Sequence, residues 1–365
     1  MNLKKINLDI ILFVSVLILS IFGVIMIYSS SSVWAEYKFD DPFKYLKSQS
    51  LFLIIGTVLM IIVSKIDYRK YKEKSNLILG ICFLLLILVI IPGIGTVRNG
   101  SRSWFGIGPF GIQPSEFMKL ALIIFTAKYL EKNDKYISNI KKGVFPILGM
   151  TLIAFGLIML QPDFGTGTIL VMTIVCMLFV SGVKMSFFMR VGVIGLIGAI
   201  GLIVVAPYRL QRIVSFINPW VDPLGAGFQI IQSLYAIGPG GLLGMGLGNS
   251  IQKHFYLPEP QTDFIFSIIS EELGFLGIVI VSSLFLTIIY RGIKTSLNST
   301  DLFGKYLAFG MIFQLSFQAI LNLMVVVGLI PVTGVTLPFL SYGGSSLLIT
   351  MIGMGILLNI SRYQK

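Results

Sequence analysis

Asp263 stands at the edge of a long apolar run, in the stretch Pro258-Glu259-Pro260-Gln261-Thr262-Asp263-Phe264-Ile265-Phe266-Ser267-Ile268-Ile269-Ser270-Glu271-Glu272-Leu273-Gly274. A carboxylate there can meet water and accept the proton of a substrate hydroxyl. Thr262 is placed to cap the helix, and Asp263 would lie in its first turn, where the dipole favours an anion. Ser267, Ser270 and Glu271 fall on the same helical face as Asp263, while Glu272 turns about 100° away. Glu271 would lie ~12 Å deeper by helix rise and would need a buried partner or a proton. The plainer alternative for Asp263 is a helix-terminal charge; for Glu271 and Glu272 structural roles weigh more.

Three further groups carry candidate chemistry. In Gln113-Pro114-Ser115-Glu116-Phe117-Met118-Lys119, Pro114 starts a helix, and Glu116 and Lys119 can pair three residues apart. Val97-Arg98-Asn99-Gly100-Ser101-Arg102-Ser103-Trp104 sets two guanidiniums beside a glycine and an aromatic, which suits phosphate binding or sugar stacking. Arg209, Arg212 and Lys253 can add to the same outer field; lipid head-group contact is the plainer reading. Gln161-Pro162-Asp163-Phe164-Gly165-Thr166 places an acid between two apolar runs, as a turn and cap. His254 is the sole histidine, so no site can draw on two imidazoles. Cys82 and Cys176 lie within apolar runs as packing residues. No Walker loop, zinc motif or dinucleotide fingerprint is evident.

The elements that position these residues are membrane helices. The chain of 365 residues is 55% hydrophobic and only 12% charged, with a mean hydropathy of +0.90. Soluble domains carry about 25% charged residues. We expect an all-α, polytopic membrane protein of about ten transmembrane helices, forming a single integral membrane domain over 1–365. The spans lie near 9–28, 46–65, 75–95, 114–130, 144–160, 164–183, 187–206, 263–290, 303–328 and 344–361. Lys4 and Lys5 precede a run too long for a cleaved signal, so a retained first span is expected. Most of the 28 Lys and Arg residues fall on one side; Lys38, Lys44, Lys47, Arg98, Arg102, Arg209, Arg212 and Lys253 fall on the other. That asymmetry puts both termini in the cytoplasm. The net charge of +12 is then a topology signal, and nucleic acid is excluded as a partner because no basic domain with interleaved aromatics exists.

Three segments interrupt the spans. Residues 92–113 read as a loop rich in Gly, Arg and Trp. Residues 207–262 form a large extracytoplasmic loop between the seventh and eighth spans. Within it Phe228, Ile231, Leu234 and Tyr235 recur at helix spacing, as a surface helix or one packed over the bundle. Residues 331–346 hold Pro331, Pro338, Gly334, Gly343 and Gly344 and cannot form a continuous helix. Apolar flanks make this segment a cavity wall dipping toward the membrane. No internal repeat is apparent, which weakens a transporter built from inverted repeats.

Taken together, Gln113-Pro114-Ser115-Glu116, Gln161-Pro162-Asp163, Phe255-Tyr256-Leu257-Pro258-Glu259 through Phe266, Glu271-Glu272-Leu273-Gly274-Phe275 and Leu337-Pro338-Phe339-Leu340-Ser341-Tyr342-Gly343-Gly344-Ser345-Ser346 resemble the SEDS family, which includes RodA, FtsW and SpoVE. The resemblance spans essentially the whole chain. Val97-Arg98-Asn99-Gly100, Asn218-Pro219-Trp220, Gln229-Ile230-Ile231-Gln232-Ser233 and Gln252-Lys253 resemble the FtsW/SpoVE branch. Thr333 departs from FtsW proteins that carry lysine there.

The resemblance implies a peptidoglycan glycosyltransferase of the bacterial cytoplasmic membrane. Such enzymes polymerise lipid II at the outer face, for division or spore cortex synthesis, beside a class B penicillin-binding protein and other divisome or elongasome membrane proteins. It implies that Asp263 is the essential acid and that Glu116 and Lys119 are the intramembrane charge pair. Arg98, Arg102, Arg212, Lys253, Ser341 and Ser345 are the candidate substrate contacts. No cofactor is certain; a divalent cation, Mg²⁺ or Mn²⁺, at Asp263 is the open alternative to a base. A lipid II flippase and a non-catalytic scaffold for the transpeptidase stand as rival functions.

Overall fold

The computed structural model describes residues 8–98, 100–107, 110–137, 139–205, 207–225 and 227–363. Lys4, Lys5, Asn99 and the side chain of Arg209 lie outside the described residues. The fold is mostly helical. Helices α1 (Ile10–Phe39), α2 (Lys44–Lys65) and α3 (Arg69–Ile90) lead into strands β1 (Thr96–Arg98), β2 (Ser101–Ile107) and β3 (Phe110–Ile112). Then follow α4 (Pro114–Lys132), α5 (Phe145–Met159), α6 (Phe164–Val180), α7 (Met185–Val205), α8 (Pro207–Ile217) and α9 (Phe228–Ile237). The chain ends with α10 (Ile265–Leu297), α11 (Leu302–Val326) and α12 (Gly344–Ser361).

Each of the ten expected spans overlaps a helix, though 75–95 runs past the end of α3 at Ile90. Among the described residues, seven helical segments are long and apolar enough to cross a membrane, and two further apolar helices are shorter. The protein is therefore a multi-pass membrane protein. Helix α4 lies outside that set because it carries Glu116, Lys119, Lys128 and Glu131. Large apolar side chains such as Ile18, Ile54, Val58, Leu84 and Ile87 point outward, as lipid-facing residues must. The interior joins α1, α2, α4, α10, α11 and α12 in one apolar core.

Residues 92–113 are not a plain loop. They form a three-stranded antiparallel sheet in the order β1-β2-β3. Arg98 pairs with Ser101 across a two-residue turn whose Gly100 has φ 80°. Asn-Gly between β-forming residues is the strongest short hairpin signal, and its type I′ turn requires positive φ. Helix α9 is also better defined than its spacing predicts. It buries Ile230, Ile231, Ser233 and Ala236, leaving Leu234 and Tyr235 exposed. The Ser233 hydroxyl reaches Ser267 Oγ and Val326 O, both at 2.7 Å, so the helix packs on the bundle.

Helix α10 holds 33 residues, or ~50 Å, well beyond the ~30 Å hydrocarbon core. It is broken at Gly274 (φ 60°, ψ −154°). The break would orphan backbone groups, and residues 241–246 supply their partners. Met245 N and Gly246 N donate to the carbonyls of Glu271 and Glu272, both at 2.9 Å. Phe275 N and Leu276 N donate to the carbonyls of Gly241 and Leu242 at 2.9 and 3.1 Å. All residues from Ile265 to Glu272 are buried, whereas Phe275, Leu276, Val279, Ile280 and Leu286 are exposed apolar side chains. The second part is thus the lipid-facing span, and the first is enclosed by protein.

The segment before α12 threads inward as an extended chain, burying Val332, Val335, Leu337, Phe339 and Leu340. Close approach to α1 requires Gly23: a Cβ there would meet Phe339 O at 2.3 Å.

Candidate functional site at the rim before α10

Asp263 is half-buried and lies just before α10. Helix α10 starts at Ile265 with Phe264 as N-cap and no side-chain cap bond, so Thr262 does not cap it. Instead the Thr262 hydroxyl sits 2.7 Å from Glu259 O and 2.6 Å from Asp263 Oδ1. One hydroxyl carries one hydrogen. Thr262 donates to Asp263 when the acid is ionised, and can accept from it while donating to Glu259 O when the acid is protonated. Loss of water around the carboxyl pushes Asp263 above the usual carboxylate range, against the pull of Thr262, a backbone contact and the Arg212 charge. Arg212 is itself anchored by Nη1 donating to Val332 O at 3.0 Å.

Helix α11 ties the backbone of this rim to the intramembrane charges. Asn322 Nδ2 donates to Asp263 O and to Val335 O, both at 2.7 Å. One turn earlier, Gln318 Nε2 donates to Thr336 O at 3.0 Å. Gln318 Oε1 accepts from Lys119 Nζ at 3.0 Å, and Lys119 pairs with Glu116 at 2.9 Å. Neither Gln318 nor Asn322 was selected by sequence reasoning. Three amides at four-residue spacing on a largely apolar helix, Gln314, Gln318 and Asn322, were the available signal.

Glu271 and Glu272 anchor the loop before α10. Glu271 accepts from Ser250 Oγ at 2.5 Å and Ile251 N at 2.9 Å. Glu272 accepts from Ser29 Oγ at 2.6–2.7 Å and from Ser250 N at 3.3 Å. Lys253 Nζ lies 3.5 Å from Glu272 Oε1 and also donates to Gly248 O. The Lys253 ammonium is thus buried among protein acceptors, rather than lying open on the surface as a substrate contact would suggest. Since α10 starts at Ile265, Asp263 lies before the helix and shares no helical face with Glu271.

The sheet carries Arg98 and Arg102. Arg98 is exposed and stacks over Trp104, 5.2 Å from the ring centroid. Arg102 is half-buried, and its Nε has no hydrogen-bond partner among the described residues. Ser345 and Ser341 are engaged within the protein. Ser345 Oγ donates to Gly111 O at 2.6 Å and accepts from Gln113 N at 3.2 Å, fastening β3 to α12. Ser341 Oγ accepts from Leu337 N at 2.8 Å within its own turn. Asp163 caps α6 through Thr166 N at 3.1 Å and accepts from Gln113 Nε2 at 3.0 Å. Burial raises its carboxyl, with Thr166 opposing. The structure thus sets Asp263 within the field of Arg212, places Arg98 and Arg102 on the sheet, and engages Lys253, Ser341 and Ser345 in internal bonds.

The family model FTSW_RODA_SPOVE, described as "Cell cycle protein", matches residues 9–365. The chain belongs to this family. It is 55% identical over 365 residues to "Stage V sporulation protein E" of Bacillus subtilis, covering 100% of both chains. It is 42% identical to "Probable peptidoglycan glycosyltransferase FtsW" of Geobacter metallireducens, over 100% of this chain and 98% of the relative. Among solved structures it is similar to a chain of a complex described as "Structural coordination of polymerization and crosslinking by a peptidoglycan synthase complex" (TM-score 0.80, 33% identity, 99% of this chain and 100% of that one). It is also similar to the rod shape determining protein RodA of Thermus thermophilus (TM-score 0.72, 30% identity, 99% of both chains).

Proposed function

We infer that this SEDS-family protein is a peptidoglycan glycosyltransferase that polymerises lipid II at the outer face of the bacterial cytoplasmic membrane. Relatives at 55% and 42% identity over nearly full length carry the SpoVE and FtsW names, the latter as a glycosyltransferase. The observation that carries the chemistry is a half-buried acid at the rim, bonded to Thr262 and within the field of Arg212. The Lys and Arg asymmetry, with both termini on the cytoplasmic side, supports an outer location for that rim.

A saccharide hydroxyl attacks the anomeric carbon of a lipid-linked sugar. Asp263 takes the hydroxyl proton, the new glycosidic C–O bond forms, and the bond to the lipid diphosphate breaks. General base assistance of this kind contributes ~10²–10⁴-fold. A single displacement opposite the leaving group inverts the anomeric configuration. Burial makes Asp263 a stronger base than a surface aspartate. Arg212, with Arg98 and Arg102 on the sheet, supplies the positive charge that the leaving diphosphate requires. If Mg²⁺ or Mn²⁺ binds here, Asp263 and Thr262 are the side chains that would hold it, and it would offset charge on the diphosphate.

A class B penicillin-binding protein is the expected partner. The similar complex is one of polymerization and crosslinking. The test is glycan-strand synthesis from lipid II by the detergent-solubilised protein with such a partner. Polymerisation needs no sealed compartment, whereas lipid flipping does. Asp263→Asn should fold, insert and bind the partner yet form no strands; full strand synthesis by that variant refutes the base or metal role.

A further inference from the structure

We propose that Asn322 is a positioning residue for Asp263, holding the acid's backbone and coupling it, through Gln318, to the buried Glu116–Lys119 pair. The inference rests on the glycosyltransferase reading above.

The argument starts with the Asp263 carbonyl. In a continuing helix that oxygen would accept from the amide four residues on, but Ser267 N donates to Phe264 O at 3.0 Å instead. The Asp263 oxygen is left for Asn322 Nδ2, at 2.7 Å. A side-chain amide carries two hydrogens in one plane. Asn322 uses the second on Val335 O, also at 2.7 Å. The acid's backbone and the inward-threading segment are therefore locked to one rigid group on α11. The carboxyl itself is steadied from its other side by Thr262.

The residue type supports this role. Asn322 is fully buried, and its Oδ1 has no partner among the described residues. An unpaired buried polar atom costs about 1–3 kcal/mol. Leucine of similar size would avoid that cost, so the two donors explain the asparagine. One turn away, Gln318 grips the next residue of the same segment, Thr336, and holds Lys119 with its oxygen. Bonds thus run without a gap from Glu116 through Lys119, Gln318, Thr336, Val335 and Asn322 to Asp263. A displacement at either end is transmitted by a tightly packed interior rather than absorbed.

Two substitutions in the full-length protein separate the links. Asn322→Leu removes both donors. Gln318→Glu keeps the oxygen that meets Lys119 but loses the donors to Thr336. Each is purified with its partner and assayed for strand synthesis from lipid II across pH. In parallel, carbodiimide labelling of Asp263 across pH is read by mass spectrometry, which needs no turnover. Displacing a reacting group by ~1 Å can cost ~10²-fold in rate. Asn322→Leu should lose ~10²-fold in kcat with KM little changed. Its Asp263 labelling midpoint should shift from that of the unaltered protein; Gln318→Glu should show a smaller change of the same kind. Asn322→Ser, which retains one donor, should recover part of the loss. An Asn322→Leu protein with unaltered kcat and labelling midpoint overturns the positioning role. If the unaltered protein makes no strands, the glycosyltransferase reading fails, and the labelling midpoints alone decide the positioning claim.

Discussion

Lys253 Nζ lies 3.5 Å from Glu272 Oε1, with the two side chains 5% and 0% exposed. The lysine thus serves the loop that splices α10, not the outer surface. Removing one partner of a buried ion pair typically costs ~3–5 kcal/mol, because the other charge is left uncompensated. Lys253→Met should therefore lower thermal stability in detergent while leaving KM for lipid II near its original value. Lys253→Met combined with Glu272→Gln should be more stable than Lys253→Met alone. A selective rise in KM with intact stability would restore Lys253 to the substrate.

The Thr262–Asp263 contact sets a pH dependence. Burial raises the Asp263 carboxyl above the ordinary range, and Thr262 lowers it in part by donating to the ionised form. The base must be ionised to accept a proton. Activity should therefore fall with acidification at a pH above the usual aspartate range. Thr262→Val removes the donor and should move that acid limb to higher pH; Thr262→Ser should return it. The kcat/KM profile of the three proteins checks the order. A limb that moves to lower pH in Thr262→Val contradicts the assignment.

Much of the architecture was legible because the bilayer restricts the choices. A span must be a long apolar run, and each expected run overlaps a helix, seven of which among the described residues are long and apolar enough to cross a membrane. The Glu116–Lys119 spacing also foretold a helical pair that the structure closes at 2.9 Å. What escaped depended on distant partners. Ser29 and Glu272 are 243 residues apart, and no local pattern reveals that their side chains meet. The same holds for Ser345 with Gly111 and for Asn322 with Asp263. The start of α10 was misplaced because Thr262 has a capping side chain, yet that hydroxyl turns to Glu259 and Asp263 instead. The hairpin in 92–113 was readable from Asn99-Gly100, but its Gly and Arg content suggested a loop.

Gly274 offers a test of the splice. Its φ of 60° is strained for any L side chain, and a Cβ there would lie 2.4 Å from Gly244 N and 2.7 Å from Gly240 O. Backbone strain of this kind costs ~1–3 kcal/mol, and displacing residues 240–246 would also unmake the bonds that satisfy the broken helix. Gly274→Ala should lower the melting temperature and open residues 240–246 to protease. Gly238→Ala, where a Cβ would meet nothing within 4 Å, is the control and should be far milder. Equal behaviour of the two variants would refute the splice as a stabilising contact.

Glu116 and Lys119 are 7% and 1% exposed at their side chains, inside an apolar bundle. Two readings of the pair differ in what a double substitution does. If it serves stability alone, Glu116→Gln with Lys119→Met removes both charges together and should recover most of the ~3–5 kcal/mol lost by either single change. Strand synthesis would then return with stability. If instead the Lys119 ammonium is needed to hold Gln318 Oε1, the stable double variant should remain poor in kcat, because Gln318 loses its charged donor. The bond network from Lys119 through Gln318 to the Asp263 backbone favours the second outcome. Melting temperature and kcat measured on the same preparations separate the two: recovery of both together would leave the pair with no role beyond stability.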